Sequence, residues 1–178
     1  VQLDSLADVI TSGLAPAAVL WQVCLQTEPC WLPETWKLGY GVFVLAAFSA
    51  LRLAKFNIDE TQTVEFCGLP TPAGSLLCAS LGMLWQQGAV ALSSDGVLLI
   101  AVLTSLLLVS PIRMFALKFH GFGWRGNEVR YLFLLASIVL IIILRTYAIP
   151  VIIVLYIVVS AVRWLCMRSG NPDKAPKA

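Results

Sequence analysis

The sequence predicts an all-α fold, a polytopic transmembrane helix bundle with about six spans. Two observations lead to this class. Hydrophobic residues make up 59% of the 178 residues and charged residues only 12%, whereas soluble domains carry about 25% charged residues. The apolar residues also form long runs, close to the roughly 20 residues that a spanning helix needs. This composition excludes a disordered chain, a nucleic-acid-binding protein, a coiled coil and a disulfide scaffold.

Six apolar stretches are candidates for spanning helices. They are Leu3–Leu25, Leu38–Phe56, Pro72–Leu92, Gly96–Leu117, and two shorter helices at about 129–145 and 149–167. Pro111 predicts a kink within the fourth span. A single helix over 129–167 would be about 60 Å long, against a hydrocarbon core of about 30 Å. Arg145, Thr146 and Pro150 therefore predict a tight turn in the middle of this stretch.

Positive charge is distributed unequally between the two sides of the predicted bundle. With six alternating crossings, ten of the twelve Lys and Arg residues fall on the side where the first helix begins. Because cytoplasmic loops are enriched in these residues, we expect this side to face the cytoplasm. The chain then divides into a transmembrane domain over 1–167 and a polar cytoplasmic tail over 168–178.

Asp4 and Asp8 carry the strongest indication of function. They lie four positions apart, so on a helix their carboxylates share one face, which Ser12 continues. An ionisable group within a spanning segment costs at least about 2.5–3.5 kcal/mol, so it is a functional-site hypothesis by default. A hard divalent cation such as Mg²⁺ would offset the repulsion between the two carboxylates. Alternatively, both lie in the headgroup region and only complement the helix dipole.

The residues around these aspartates resemble a known signature. Val1–Pro16 reads VQLDSLADVITSGLAP, which is similar to the second half of the CDP-alcohol phosphatidyltransferase signature D-G-x-x-A-R-x(8)-G-x-x-x-D-x-x-x-D. Three further stretches resemble the phosphatidylserine synthase branch of that family. They are ALRLAKFN at Ala50–Asn57, GLPTPAG at Gly68–Gly74 and LLVSPIRMFALKF at Leu107–Phe119. The resemblance covers nearly the whole chain, with the stretches in the order of the family.

Two features depart from the family pattern. The first half of the signature, with its own glycine, arginine and two metal-binding aspartates, is absent from the 178 residues, and the first residue is Val1. We therefore expect this chain to be part of a longer protein and to have no transferase activity by itself. Lys55 stands where the family usually has Arg, and Lys lacks the planar fork that contacts a carboxylate or phosphate at two points.

The resemblance implies an enzyme that transfers a phosphatidyl group from CDP-diacylglycerol to L-serine, giving phosphatidylserine and CMP. It implies a divalent metal cofactor, Mg²⁺ or Mn²⁺, with Asp4 and Asp8 as metal ligands and Asp8 also as general base. A base is needed because the hydroxyl of serine is a weak nucleophile. The expected partners are these two substrates, membrane lipids and a second copy in a homodimer, with no nucleic acid. The expected location is the bacterial inner membrane, with the active site facing the cytoplasm.

The remaining candidate site residues are substrate-binding. Arg52, Lys55 and Asn57 end the second predicted span on the same side as the aspartates, and a cation there would bind the serine carboxylate or a phosphate. Ser12 and Lys118, which lies in the third family-like stretch, complete the set. Alternatively, these cations only extend toward the headgroups of anionic lipids.

Other functions remain open from the sequence. A synthase of the same family with a different acceptor, such as glycerol phosphate, inositol phosphate or a choline-type alcohol, would share the aspartates. A transporter or channel module would also contain intramembrane acidic residues and broken helices. No inverted repeat is visible, which disfavours the transporter, and acidic residues on an apolar helix disfavour an inert anchor.

Overall fold

The computed structural model describes residues 2–30, 39–58, 65–115 and 127–170, and these are mostly helical, so the predicted all-α class is confirmed. The helices are α1 (Gln2–Asp8), α2 (Ala15–Gln26), α3 (Val44–Ile58), α4 (Thr71–Gln86), α5 (Ser94–Val109), α6 (Glu128–Leu144) and α7 (Ala148–Gly170). A π-helical segment, Val9–Leu14, joins α1 to α2 without a break, and a 3₁₀ turn, Gly39–Phe43, precedes α3. α7 extends into the predicted tail, and 171–178 lie outside the described residues.

Hydrogen bonds at the two ends of the bundle show how the first helices are arranged. At one end, Asn57 Nδ2 donates to Ser5 Oγ over 2.9 Å, which joins the end of α3 to the start of α1. At the opposite end, the backbone N–H of Cys30 donates to Asp95 Oδ2 over 2.8 Å, which joins the segment after α2 to the start of α5. The chain therefore alternates in direction, and α1 begins where α3 ends. We call the end with Ser5 and Asn57 the acidic end, because it also holds Asp4.

Three helical stretches in the described residues are long and apolar enough to cross a membrane. They are Leu3–Gln26, Gly39–Asn57 and Glu128–Cys166. The other two apolar helices, α4 and α5, have 16 residues each, fewer than the roughly 20 that usually span a bilayer. The protein is a membrane protein, and the count of about six spans stays a prediction.

The long C-terminal apolar stretch folds back on itself. The rings of Phe133 and Tyr156 meet edge to face with centroids 5.9 Å apart, although these residues are 23 positions apart in the sequence. A continuous helix would separate them by about 35 Å. The chain reverses at the 3₁₀ turn Arg145–Tyr147, where Arg145 has a φ of 47°. The predicted turn is therefore confirmed, and Pro150 lies in the first turn of α7, where proline is tolerated.

The predicted kink at Pro111 is wrong, because α5 ends before this residue. Ser110 is extended, with φ −62° and ψ 149°. Helical geometry is unfavourable for the residue before a proline, and proline has no N–H to donate within a helix. The chain then forms a short strand, β2 (Arg113–Phe115), antiparallel to β1 (Glu65–Cys67). The sequence analysis did not predict this two-stranded ladder.

A tight turn connects the ladder to α4. Gly68 has a φ of +78°, and a Cβ at this position would overlap the carbonyl oxygen of Leu108. Its N–H donates to the carbonyl of Ile112 over 2.9 Å, and the N–H of Leu69 donates to that of Leu107 over 2.9 Å. Only glycine combines this left-handed conformation with so close an approach to another backbone. The end of β1 is therefore fixed against the end of α5.

The first long helix packs closely on its neighbours through small residues. Ala17, Leu20 and Val23 of α2 are buried. α4 approaches α2 at Gly82, where an added Cβ would overlap Cγ1 of Val19. Helices meet this closely where a small residue replaces a larger side chain at the crossing.

We predict that Gly82→Ala destabilises the bundle by about 1–3 kcal/mol, the usual range for overpacking. Val19 is β-branched, so its side chain has almost no alternative rotamer in a helix. Adding Val19→Ala should recover most of the loss, because it removes the methyl that the new Cβ meets. The measurement is the unfolding midpoint of the detergent-solubilised variants, with Val19→Ala alone as control. Equal destabilisation with and without Val19→Ala would contradict the close α2–α4 contact.

Candidate functional site

The two aspartates form an acidic turn at the start of the first long helix. Asp4 is exposed and Asp8 is half-buried, and both lie within α1, so their side chains leave the same side of the helix. Among the described residues, no side chain donates a hydrogen bond to either carboxylate or forms an ion pair with it. Two carboxylates one turn apart, neither with a partner among the described side chains, are available to bind a cation.

A π-helical segment follows the acidic turn directly. π-helical segments are rare in proteins, and many of those that occur lie at functional sites. Ser12 lies within it and is half-buried, and Thr11 Oγ1 donates to the carbonyl of Ala7 over 3.0 Å. Gly13 faces α3, where an added Cβ would be 2.9 Å from Cβ of Ser49. This contact holds the helix against α3 one turn beyond Asp8.

The end of α3 supplies the cationic part of the site. Arg52 is 8% exposed, and its Nη1 donates to Thr71 Oγ1 at 3.4 Å. Its Nε is buried and has no hydrogen-bond partner among the described residues. Lys55 lies three residues further along the same helix and is exposed. A buried guanidinium with an unused donor is costly unless an anion binds to it, because a buried charge needs pairing.

A small pocket opens beside these two cations. Its cavity volume is about 10 Å³, which is room for about one water molecule, and its mouth is open to solvent. Its lining residues come from the ends of α3 and β1 and from the end of α5. They are Arg52, Lys55, Phe56, Cys67, Leu108, Val109 and Ser110. The two cations beside apolar side chains suit an anionic group, and an amino acid would fit there only if the surrounding side chains moved apart.

The structure brings most of the predicted site residues to the acidic end. The hydrogen bond from Asn57 to Ser5 connects the end of α3, with Arg52 and Lys55, to the turn with Asp4 and Asp8. Lys118 lies outside the described residues, so its predicted role stays untested.

Three neighbours of the pocket were not predicted as site residues. Thr71 lies in the GLPTPAG stretch and accepts the hydrogen bond from Arg52. Cys67 precedes that stretch and lines the pocket. Tyr156 of α7 lies near enough to Arg52 to interact with it electrostatically. The family-like stretch pointed to the region of Thr71, whereas nothing in the sequence of α7 connects Tyr156 to α3.

The acidic turn could supply part of the ligand set of a divalent metal ion. Asp4 and Asp8 supply hard oxygen donors, which Mg²⁺ prefers. The described residues contain no group of three or more His, Cys, Asp or Glu side chains that would complete a site. A metal held by two carboxylates keeps positions for water and for the oxygens of substrate phosphates, as is usual for Mg²⁺.

Comparisons with known proteins identify relatives along the chain. No family model matches it. A CDP-diacylglycerol–serine O-phosphatidyltransferase of Bacillus subtilis (strain 168) is 30% identical over 120 residues, covering 67% of this chain and 60% of that protein. Proteins of the same name are 40% identical over 123 residues in Mycobacterium leprae and 33% identical over 193 residues in Mycobacterium tuberculosis (strain H37Rv). The mycobacterial alignments cover 64% and 99% of this chain, and 38% and 64% of those proteins.

The chain therefore spans between 38% and 64% of the length of these curated relatives. The shared name among them agrees with the resemblance of the acidic turn and of the three family-like stretches. The chain belongs to the phosphatidylserine synthase branch of the CDP-alcohol phosphatidyltransferase family.

Proposed function

We propose that the protein transfers the phosphatidyl group of CDP-diacylglycerol to the hydroxyl of L-serine and releases CMP. The observation that carries this proposal is the hydrogen bond between Asn57 and Ser5, which places the acidic turn and the cationic pocket at the same end of the bundle. The names of the relatives state the same two substrates. The transferase needs both parts of the site, because one substrate carries a diphosphate and the other a carboxylate.

The proposed chemistry assigns Asp8 to the proton of the acceptor. Its carboxylate takes the proton of the serine hydroxyl while the oxygen attacks the phosphorus of the phosphatidyl group. The bond between that phosphorus and the phosphate of CMP breaks, and CMP leaves with the electron pair. Asp4 and Asp8 would hold Mg²⁺ or Mn²⁺, which supplies positive charge against the diphosphate. Asp8 is half-buried, so its carboxylate is partly withdrawn from water, which suits a base that takes a proton from the acceptor hydroxyl.

The proposed acceptor site is the pocket lined by Arg52 and Lys55. Serine presents a carboxylate, and a carboxylate that meets two cations binds with charge-assisted hydrogen bonds. Arg52 is held by Thr71, so its guanidinium does not need to be ordered when the substrate binds. Lys55 is exposed and reaches the same pocket. Asn57 lies five residues after Arg52, at the end of α3, and its amide contacts Ser5 of α1.

We also propose that the acidic end faces the cytoplasm in a bacterial inner membrane. The support is the ten-to-two distribution of Lys and Arg residues between the two sides of the predicted bundle. CDP-diacylglycerol and serine would then reach the site from the same compartment. The expected homodimer stays a prediction.

The first test of the proposed function is Asp8→Asn in the native-length enzyme. Amide replaces carboxylate at nearly the same size, so the base is lost while the helix is retained. We expect turnover of labelled serine to fall by about 10²–10⁴-fold, the usual contribution of a general base, or further if metal binding also fails. Glu28→Gln, an exposed carboxylate at the opposite end of the bundle, is the matched control and should retain turnover. An Asp8→Asn enzyme with near wild-type turnover would remove Asp8 from the mechanism.

The second test separates the two substrates. Lys55→Gln should raise KM for serine more than KM for CDP-diacylglycerol, because a ground-state contact with the carboxylate appears chiefly in KM. Lys55→Arg retains the charge and should remain close to wild type for serine. Initial rates with each substrate varied in turn provide the comparison. Equal effects on both substrates would instead assign Lys55 to the diphosphate or to folding.

The third test concerns sidedness and uses native cysteines. Cys30 and Cys166 are both exposed, at opposite ends of the bundle. In variants that retain only one of them, an impermeant thiol reagent added to intact cells should modify Cys30. Cys166 should react only after permeabilisation. The reverse pattern would invert the proposed topology and place the acidic turn outside the cytoplasm.

A further inference from the structure

We propose that Arg145 binds the phosphate group of a membrane phospholipid and thereby fixes the turn between α6 and α7 at the membrane surface. This inference concerns the end of the bundle opposite the acidic end and does not depend on the transferase. The side chain of Arg145 is exposed. Among the described residues, no side chain or carbonyl accepts a hydrogen bond from its guanidinium, and no carboxylate pairs with it. Its charge is therefore available to a ligand from outside the protein.

Contacts of the turn show at which end of the bundle Arg145 lies. Tyr147 Oη donates a hydrogen bond to the carbonyl of Ala89 over 3.1 Å. Ala89 follows α4, whose first residue, Thr71, contacts Arg52 near the acidic end. The 16 residues of α4 separate these two points. The turn is therefore held beside the connection between α4 and α5, at the opposite end of the bundle.

The backbone of Arg145 has a conformation that residues with a side chain rarely adopt. Its φ is 47° and its ψ is −105°, and no other non-glycine residue in the described ranges has a positive φ. Glycine adopts such angles at little cost, whereas a Cβ makes them unfavourable. Strained residues cluster at functional sites, where the strain is retained because the residue has a role. Since the guanidinium has no partner in the described part of the chain, we infer that its role is to bind a partner outside it.

The surroundings of Arg145 identify this partner as a lipid. Ile142 and Ile143 directly precede it, and each is 70% exposed. They belong to the apolar stretch Glu128–Cys166, which is long and apolar enough to cross a membrane. Because this stretch reverses at Arg145, the turn lies at the tip of an apolar hairpin. At such a tip, arginine extends its charge to the headgroups, and tyrosine, here the exposed Tyr147, is enriched.

The chemistry of the side chain favours the phosphate within the headgroup. A guanidinium is planar and can donate two parallel hydrogen bonds to two oxygens of one phosphate. The turn presents this group from a fixed position, because the N–H of Ala148 donates to the carbonyl of Arg145 and Tyr147 is bonded to Ala89. A free phosphate ion would satisfy the charge alone. A phospholipid also brings acyl chains against the exposed isoleucines, so we expect the lipid to be the ligand.

The first experiment separates the charge of Arg145 from its backbone strain in the native-length protein. Arg145→Gln retains a Cβ and removes the charge, whereas Arg145→Gly removes both. The unfolding midpoint is measured in dodecyl maltoside, which has no phosphate. There, Arg145→Gln should equal the wild type. Arg145→Gly should have a higher midpoint, because relief of strain outweighs the added freedom of the unfolded chain. A lower midpoint of Arg145→Gln would show that the guanidinium acts within the protein, and an unchanged or lower midpoint of Arg145→Gly would show that the turn is not strained. Either result would overturn the proposal.

The second experiment adds phosphatidylglycerol to the same micelles. We expect the lipid to raise the midpoint of the wild type by about 2–4 °C more than that of Arg145→Gln. The rise of Arg145→Gly should match that of Arg145→Gln, since neither variant has the charge. An equal rise in the wild type and in Arg145→Gln would overturn the proposal.

Two further additions identify the source of the phosphate. Galactosyl diacylglycerol has the same kind of acyl chains without a phosphate, and it should stabilise the wild type and Arg145→Gln equally. Inorganic phosphate without added lipid should also leave their midpoints equal. A difference produced by the galactolipid would exclude the phosphate as the group that is bound. A difference produced in full by inorganic phosphate would exclude the lipid as the required ligand.

Discussion

The site depends on the close contact between the first long helix and α3. Gly13 lies against Ser49 so closely that even a methyl group would need a shift of one helix. This contact brings the beginning of α1 to the end of α3, where Asn57 bonds to Ser5. Carboxylates on one helix and cations on another can act on one reaction only if the helices are fixed at this crossing. The small residue in the π-helical segment therefore positions the chemistry, although it carries no reactive group.

The second constraint is the cost of burying Arg52. A guanidinium that is removed from water must be paired or hydrogen-bonded, and the single bond to Thr71 leaves part of that need unmet. Among the described residues, no carboxylate pairs with Arg52 to offset this cost. An anionic substrate that reached the guanidinium would offset the cost of its burial. The site would thereby bind a carboxylate or phosphate more tightly.

The sequence predicted the features that depend on local pattern. Apolar length predicted the helices, and the excessive length of the last stretch predicted the reversal at Arg145. The spacing of Asp4 and Asp8 predicted their common face.

The kink at Pro111 was predicted wrongly because a proline can end a helix as well as bend it, and only tertiary context decides between these outcomes. The ladder that positions Cys67 was missed because strands of three residues have no measurable periodicity. Contacts between distant helices leave no local pattern in the sequence. The approach of Asn57 to the acidic turn could therefore not be predicted either.

The central claim is that the acidic turn and the cationic pocket form one site. The direct measurement is the effect of Mn²⁺ on a nitroxide spin label attached to Cys67 in a variant without other cysteines. The account predicts strong paramagnetic relaxation of this label on addition of Mn²⁺, with no such effect after Asp4→Asn and Asp8→Asn together. A label on Cys30, at the opposite end of the bundle, should show little relaxation in the same titration. Equal relaxation at Cys67 and Cys30, or relaxation at Cys67 that persists without the two carboxylates, would contradict the account.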